Sequence, residues 1–201
     1  MKNLMIAFAL LVGFSAHAAD TKKADAKQPD AAMMQKFMAA STPGAPHKIL
    51  SDMAGDYTFT SKNWHSKGGP VIEGKGMTSM KMVLGGRWLQ ATTTGESAGE
   101  MPAFEGMQMM GYDNIKKEYM FMWYDTMSTG VMHGHGKFDG ALKTLTDKGH
   151  YSCPMTGKDR DYRGEWKMQS PGNIVFSLFG TSPMDEKSGE FKMMELTFKR
   201  K

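Results

Sequence analysis

The sequence predicts an all-β fold for residues 43–201, an antiparallel up-and-down β-barrel of about ten strands. Short runs of β-branched, aromatic and methionine residues alternate with clusters of Gly, Pro, Asn and Asp. The segments "YDNIKKEY", "KFDGALKT", "PMTGKD" and "SPGN" are typical of hairpin turns. No long helical pattern separates the runs, so consecutive strands are expected to pair. Closure into a barrel would remove the unpaired edges of such a sheet.

Residues 1–18 are typical of a secretory signal peptide. Lys2 supplies a positive charge, residues 4–14 form an apolar run, and "AHA" offers a small-residue cleavage site that ends at Ala18. The apolar run of about 11 residues is too short for a transmembrane helix, which needs roughly 20. We therefore expect cleavage near Ala18, no transmembrane span, and a location in the periplasm or outside the cell.

Residues 19–42 are expected to form a flexible linker followed by a short amphipathic helix. The first part, "ADTKKADAKQPD", is rich in Ala, Lys and Asp, a composition typical of disordered chain. The second part places Met33, Met34, Phe37 and Met38 at helical spacing. The predicted organisation is therefore a signal peptide at 1–18, a linker and helix at 19–42, and a barrel domain at 43–201.

The barrel domain contains a series of segments with the length and composition of strands. In such segments successive side chains point to opposite faces, so one face of each is expected to line the barrel interior. In chain order the predicted strands are Asp56–Asn63, Ile72–Val83, Arg87–Thr94, Met107–Tyr112, Glu118–Asp125, Gly130–Lys137, Thr144–Tyr151, Asp159–Met168, Ile174–Gly180 and Lys192–Lys199.

Methionine dominates the apolar composition, with 22 residues in the chain. After removal of the signal peptide it outnumbers Leu, Ile and Val combined. Within strands it alternates, so that Met80 shares a face with Met82, and Met120 and Met122 share a face with Tyr124. Thioethers are flexible and polarizable fillers of irregular apolar space. The pattern leaves open three interpretations: general core packing, a lumen adapted to apolar ligands, and soft ligands for copper.

The segment "VMHGHGKFDG" is the candidate for a metal site. His133 and His135 are two residues apart in a predicted strand and share a face, with Met132 next to them. Soft thioethers favour Cu(I) and imidazole also binds copper. However, Lys137 lies on the histidine face, which indicates a solvated surface, and structural metal sites need three or four converging ligands. We expect no cofactor, with copper at Met132, His133 and His135 as the alternative.

Two glycines of the same segment, Gly134 and Gly136, are expected on the opposite face, together with Met132 and Phe138. A glycine inside a strand often marks a bend or a place where a ligand or another backbone approaches closely. On this basis the segment is interpreted first as part of the barrel wall.

Several function classes find no support in the sequence. The net charge of +4 is distributed along the chain, whereas nucleic-acid-binding proteins concentrate basic residues on one face. The sequence contains no His-Glu-x-x-His metalloprotease motif. The glycines of "LGGR" precede a strand and not a helix, so they do not form a phosphate-binding loop. We therefore expect no catalytic residues, with an enzyme of unknown reaction as an alternative.

The segments "GAPHKILSDMAGDYTF", "LGGRWLQ", "MPAFEGMQMMGYDNIKKEYMFMWYDTMSTGVM", "PMTGKD" and "MMELTFKRK" follow one another along the barrel domain. In these segments the chain resembles a bacterial domain-of-unknown-function family, DUF1579. The resemblance implies a lipocalin-like or calycin-like β-barrel and brings no established catalytic activity.

Gly55-Asp56-Tyr57 also resembles the Gly-x-Trp that opens the first strand of lipocalin-like barrels, with Tyr57 in the place of Trp. The resemblance implies that a cation from the end of the chain, Lys199 or Arg200, packs on this ring and closes one end of the barrel.

The expected function is binding of a small apolar or amphipathic molecule in the barrel lumen, without catalysis. Small barrels can hold one such ligand among their inward-facing side chains. The residues expected to line or close the lumen are Tyr57, Phe59, Met80, Met82, Trp88, Met120, Met122 and Tyr124.

Overall fold

Ten antiparallel strands form a closed barrel. The structure, a computed structural model, describes residues 30–98 and 102–201. Each strand pairs with its neighbours in the chain, and the first strand pairs with the last to close the sheet. The strands are β1 Gly55–Asn63, β2 Ile72–Val83, β3 Trp88–Gly95, β4 Phe104–Asp113, β5 Glu118–Asp125, β6 Met132–Asp139, β7 Thr144–Cys153, β8 Lys158–Ser170, β9 Asn173–Gly180 and β10 Phe191–Arg200.

The predicted fold class is confirmed, and every predicted strand overlaps an observed one. The largest difference is at β4, which begins at Phe104 and not at Met107. The extra residues pair with the end of β3, where Phe104 lies opposite Gly95. Main-chain pairing therefore extends this strand through "AFEG", whose composition alone gave no clear start.

The hairpin turns follow from side chains that bond to nearby backbone. Asp113 Oδ1 accepts hydrogen bonds from the backbone N–H of Ile115 at 2.7 Å and of Lys116 at 3.0 Å. Asp139 Oδ1 bonds in the same way to Ala141 and Leu142 in the next but one hairpin. Such Asx turns reverse the chain in a few residues, which keeps consecutive strands adjacent.

Within the described residues, two helices precede the barrel. Helix α1, Ala31–Ser41, matches the predicted amphipathic helix, and the Asp30 carboxylate caps it by accepting from the backbone N–H of Met33. The apolar side chains of α1 are exposed, Phe37 at 63%. No helix within the described residues is long and apolar enough to cross a membrane. The predicted signal peptide and residues 19–29 of the predicted linker lie outside the described residues.

Helix α2, Ala45–Asp52, was not predicted from the sequence and covers one end of the barrel. Its first turn contains Pro46, and His47 Nδ1 accepts a hydrogen bond from the backbone N–H of Gly44 at 3.1 Å. Leu50 of this helix is fully buried. With only eight residues and a mixed composition, α2 depends on this packing against the barrel for its stability.

The barrel end beneath α2, called the closed end below, is closed by Tyr57 and Arg200. The Tyr57 hydroxyl donates to the Met53 carbonyl at 2.8 Å and accepts from Arg200 Nη2 at 2.9 Å. Arg200 Cζ lies 5.4 Å from the centroid of the Tyr57 ring, so Arg200 is the cation that the resemblance implied. Arg200 also donates to the Ala54 carbonyl at 2.9 Å, which connects the last strand to the chain entering β1.

Candidate functional site

A cavity of about 370 Å³ occupies the barrel interior. It extends from the middle of the barrel to the rim opposite α2, where the end of β1 and the starts of β2 and β4 contribute to its wall. Small-molecule sites typically have volumes of about 300–1,000 Å³. The cavity is therefore large enough for a small ligand, and its rim gives a route of entry.

The deep part of the cavity wall is apolar. Trp166 packs on Phe176 with ring centroids 4.3 Å apart, and both rings face the cavity. These residues come from alternate positions of strands around the barrel, because inward-facing side chains recur every second residue. The apolar residues of the deep wall include Phe59, Met80, Ala91, Phe121, Trp166, Phe176, Leu178 and Phe198.

A few polar groups interrupt this apolar wall. The hydroxyls of Thr78 and Thr93 hydrogen-bond to each other at 2.9 Å across β2 and β3. The Gln108 amide is buried on β4, and Asp147 and Tyr162 face the cavity from β7 and β8. An apolar cavity with few polar groups is typical of sites that orient an amphipathic ligand.

Asp147 and Tyr162 form a hydrogen-bonded pair in the cavity wall. Burial raises the pKa of the Asp147 carboxyl to about 6, and the hydrogen bond from the Tyr162 hydroxyl partly opposes that rise. Burial and the neighbouring Asp147 carboxylate raise the pKa of Tyr162, so the tyrosine is the donor of the pair. At neutral pH the cavity therefore contains a carboxylate that is mainly ionised.

The rim carries charged groups that are already paired. Lys75 Nζ and Glu96 Oε2 form an ion pair of 3.2 Å. Asp125 accepts hydrogen bonds from Trp123 Nε1 at 2.6 Å and from the backbone N–H of Met127 at 3.0 Å. These contacts order the rim, and they are separate from the deep carboxylate of Asp147.

The profile of one protein family, described as "Protein of unknown function (DUF1579)", matches residues 42–200 of the chain. The chain belongs to the DUF1579 family. No curated protein sequence matches it. Among solved structures, the crystal structure of Rv2717c from M. tuberculosis is similar with a TM-score of 0.56 and 12% sequence identity. That match covers 79% of this chain and 99% of the other, and at this identity it supports the barrel fold alone.

Four of the residues predicted for the lumen of this DUF1579 protein lie inside the barrel. Phe59 and Met80 line the cavity. Tyr57 is fully buried, but it lies at the closed end, beyond the cavity. Met82 is half-buried against the core on the same side as α2. Of these four, Phe59 and Met80 are thus the ones that could touch a ligand.

For the other predicted lumen residues, on β3 and β5, the prediction of which strand face points into the barrel was wrong. In β5 the buried side chains are Tyr119 and Phe121, so Met120 and Tyr124 lie on the outer face, where Tyr124 is 41% exposed. Met122 contributes to the cavity wall, but its sulfur accepts a hydrogen bond from the Tyr124 hydroxyl on the outside.

Trp88 also lies on the outer face, on the side of β3 opposite to Leu89. There it covers Gly111 of β4. Both faces of β3 and β5 carry large apolar residues, so alternation alone does not reveal which face is internal.

The three residues of the copper alternative do not share a face. Met132 lines the cavity, whereas the His133 and His135 side chains are exposed outside. His135 Nδ1 lies 3.1 Å from Glu118 Oε1, and the His133 ring is 6.3 Å from the His150 ring. Within residues 30–98 and 102–201, no group of three or more His, Cys, Asp or Glu residues is placed to hold a metal ion.

The sequence interpretation missed Asp147 and Tyr162, the polar pair of the cavity. A signal was present in "TLTDKGHY", where Asp147 shares its strand face with Leu145, Gly149 and Tyr151. A lone carboxylate on an otherwise apolar strand face is uncommon, because an unpaired buried charge is costly. The meaning of this signal became clear only from the pairing of β7 with β8, which brings Tyr162 close to Asp147.

Proposed function

We propose that this protein is an exported, non-catalytic barrel that binds a small apolar or amphipathic molecule in its lumen. The observation that carries the proposal is the cavity of about 370 Å³, with apolar walls and access from the rim. Burial of apolar ligand surface there is favourable by roughly 25 cal/mol per Å². The covered closed end supports entry from the opposite rim.

Export is part of the proposal and rests on the first 18 residues. Lys2, the apolar run of residues 4–14 and the small residues up to Ala18 support cleavage and release into the periplasm or the medium. Cell fractionation followed by mass measurement of the purified chain tests this directly. The expected chain begins near Ala19, and a full-length chain retained in the cytoplasm would contradict export.

Lumen binding is tested with a substitution that fills the cavity. Ala91 lines the cavity, and the neighbouring Thr92 is exposed on the other face of β3. Phenylnaphthylamine, whose fluorescence rises in apolar surroundings, is the probe. We expect Ala91→Phe to abolish the fluorescence increase and the matched control Thr92→Phe to retain it. Equal binding by both variants, or none by the wild type, would refute lumen binding.

A ligand carried from the cell provides a second test. Protein purified without denaturation from its own compartment is extracted with organic solvent, and the extract is analysed by mass spectrometry. We expect a small amphipathic molecule that is missing from the extract of Ala91→Phe. An extract that does not differ between the two proteins would count against a lumen ligand.

An enzyme is the second candidate, favoured by the Asp147–Tyr162 pair. A buried carboxyl of raised pKa in a cavity is also a common feature of catalytic sites. Incubation of the extracted molecule with fresh protein separates the candidates. A binding protein returns the molecule with unchanged mass, whereas an enzyme converts it.

Copper binding is the remaining alternative, and it would use the outer face of the barrel. There Met122 pairs with His133, which pairs in turn with His150 across the next strand. Anaerobic titration with Cu(I) tests it: tight stoichiometric binding that His133→Ala/His135→Ala weakens would support this alternative. Affinity that is unchanged in that variant would refute the site.

A further inference from the structure

The cavity wall contains a buried carboxylate. Asp147 is 4% exposed, lies in the middle of β7 and faces the cavity. Its cross-strand neighbours are Gly136 on β6 and Gly164 on β8, neither of which has a side chain to cover it. The charged group is thus buried in the wall and yet borders the space that a ligand would occupy.

Four glycines, called the glycine patch below, lie around Asp147 and Tyr162 in the paired strands, and two of them leave room for these side chains. A Cβ at Gly164 would collide with Asp147 Oδ1, and a Cβ at Gly134 would lie 2.6 Å from the Tyr162 hydroxyl oxygen. Gly134 pairs with Gly149, which pairs with Tyr162 across β7 and β8. The glycine patch consists of Gly134, Gly136, Gly149 and Gly164.

Tyr162 satisfies only part of the hydrogen-bonding capacity of Asp147. Its hydroxyl donates one hydrogen bond to the carboxylate, which has about four lone-pair positions. Lys75 is the one Lys, Arg or His among the described residues that line the cavity, and it is paired with Glu96 at the rim. Among the described residues that line the cavity, the negative charge of Asp147 therefore has no unpaired cation as a partner.

The charge state of Asp147 decides which ligand group it favours. A protonated carboxyl would donate to a carbonyl or hydroxyl oxygen, whereas an ionised carboxylate accepts and attracts a cation. The pKa of Asp147 is about 6, and the hydrogen bond from Tyr162 favours the ionised form. At neutral pH the group is therefore mainly an acceptor with a negative charge.

We propose that the lumen selects an amphipathic amine, whose ammonium group binds Asp147 while its hydrocarbon part occupies the apolar cavity. This inference rests on the proposed lumen binding. The surrounding rings of Phe121, Trp166 and Phe176 supply the apolar contacts. In such surroundings a charge-assisted hydrogen bond is stronger than in water, because water does not compete for the carboxylate.

Three octyl compounds that share one hydrocarbon chain test the preference. Octylamine, octanol and octanoate are used at neutral pH to displace phenylnaphthylamine from the wild-type chain. Octylamine is then a cation, since alkyl amines titrate near pH 10 as lysine does. We expect octylamine to bind at least about tenfold more tightly than octanol, and octanoate to bind most weakly because its charge repels Asp147.

Two variants assign the preference to the charge of Asp147. Asp147→Asn keeps the shape and an acceptor for Tyr162 but removes the charge, so octylamine should lose its advantage while octanol affinity changes less than about twofold. Tyr162→Phe alters the same hydrogen bond but keeps the carboxylate, so octylamine should keep its advantage. Thermal unfolding of each variant verifies that it is folded.

The outcomes separate this inference from the proposed function. Equal displacement by the three octyl compounds, or a preference that survives in Asp147→Asn, would overturn the selection of amines and leave lumen binding intact. Failure of the wild type to bind phenylnaphthylamine and every octyl compound would overturn both. Loss of the preference in Tyr162→Phe with retention in Asp147→Asn would assign it to the hydroxyl, which also contradicts the inference.

Discussion

At the scale of single residues, the buried surroundings of Asp147 disfavour the ionised form of its carboxyl group. Burial raises its pKa from the ordinary value of 3.8 to about 6. The ionised carboxylate is therefore less stable in the folded barrel than in the unfolded chain at neutral pH. A group with this effect on stability is a candidate for function, because an apolar residue would serve packing better.

The pH dependence of stability tests this account of Asp147. Between about pH 4 and pH 6 the folded state retains a proton at Asp147 that the unfolded state has lost, so stability falls as the pH rises through that interval. The Asp147→Asn variant has no titrating group at this position, so its stability should not fall in this way as the pH rises. Two pKa units correspond to about 3 kcal/mol, so the variant should be more stable than the wild type by up to that amount above pH 7.

Chemical unfolding at several pH values measures the difference. It should shrink as the pH falls below 6 and vanish below about pH 4, where the carboxyl is protonated in both states. A difference that does not change with pH, or a variant less stable than the wild type at neutral pH, would contradict the assignment.

At the scale of elements, successive side chains of strands β6 to β8 point alternately outward and inward, so the two faces of these strands differ in composition. Their outer faces carry exposed His133, His135 and His150, while their inner faces carry the glycine patch with Asp147. Gly134 lies in the middle of β6, where a Cβ would be 2.5 Å from the Lys148 carbonyl oxygen and 2.6 Å from the Tyr162 hydroxyl. The close approach of β6 and β7 therefore depends on the missing side chain.

Gly134→Ala should destabilise the barrel by about 1–3 kcal/mol, because backbone and ring would have to shift. Gly140→Ala is the matched control: its Cβ would meet only Phe138 Cε1, at the ordinary distance of 3.9 Å. The control should stay within about 0.5 kcal/mol of the wild type. Urea unfolding gives both values, and a Gly134→Ala variant as stable as the control would contradict the predicted collision.

The contacts at the closed end stabilise the fold, and we expect them to have no effect on ligand binding in the cavity. Tyr57→Phe removes the hydroxyl that bonds to the Met53 carbonyl and to Arg200. We expect a loss of about 1–2 kcal/mol in the free energy of unfolding, with phenylnaphthylamine affinity unchanged because Tyr57 lies beyond the cavity. Lys199→Ala, at an exposed neighbouring position, is the control and should change neither quantity.

At the scale of the whole molecule, the barrel couples ligand binding to stability. One end is closed by α2, Tyr57 and Arg200, and the cavity reaches the other end. A ligand in the lumen contacts inward-facing residues of many strands, which exist as one surface only in the folded barrel. Any such ligand therefore stabilises the folded state by mass action.

Octylamine at a hundred times its Kd should raise the free energy of unfolding of the wild type by about 2.7 kcal/mol. Differential scanning calorimetry with increasing octylamine measures the shift in Tm. Ala91→Phe, with its cavity filled, should show no shift under the same conditions. A shift of equal size in both proteins would mean that octylamine binds elsewhere.

The order of the strands and their approximate limits followed from the sequence, because turn residues and apolar alternation are local signals. The internal face of β5 did not follow from it. Met120, Met122 and Tyr124 on one face are as apolar as Tyr119, Phe121 and Trp123 on the other, so composition could not distinguish them. Helix α2 was also missed, since its stability comes from contact with the barrel more than from its own eight residues.

The sequence by itself determined that the chain forms an antiparallel barrel, since hairpins joining adjacent strands leave few other ways to pair the edges. Only the tertiary structure decided what the interior contains. Asp147, Tyr162 and the glycine patch come from three strands, and they meet because the register of β6, β7 and β8 aligns them. The register of these strands depends on packing throughout the barrel, so it cannot be read from any short segment of the sequence. The amine-binding site that we propose therefore depends on that packing.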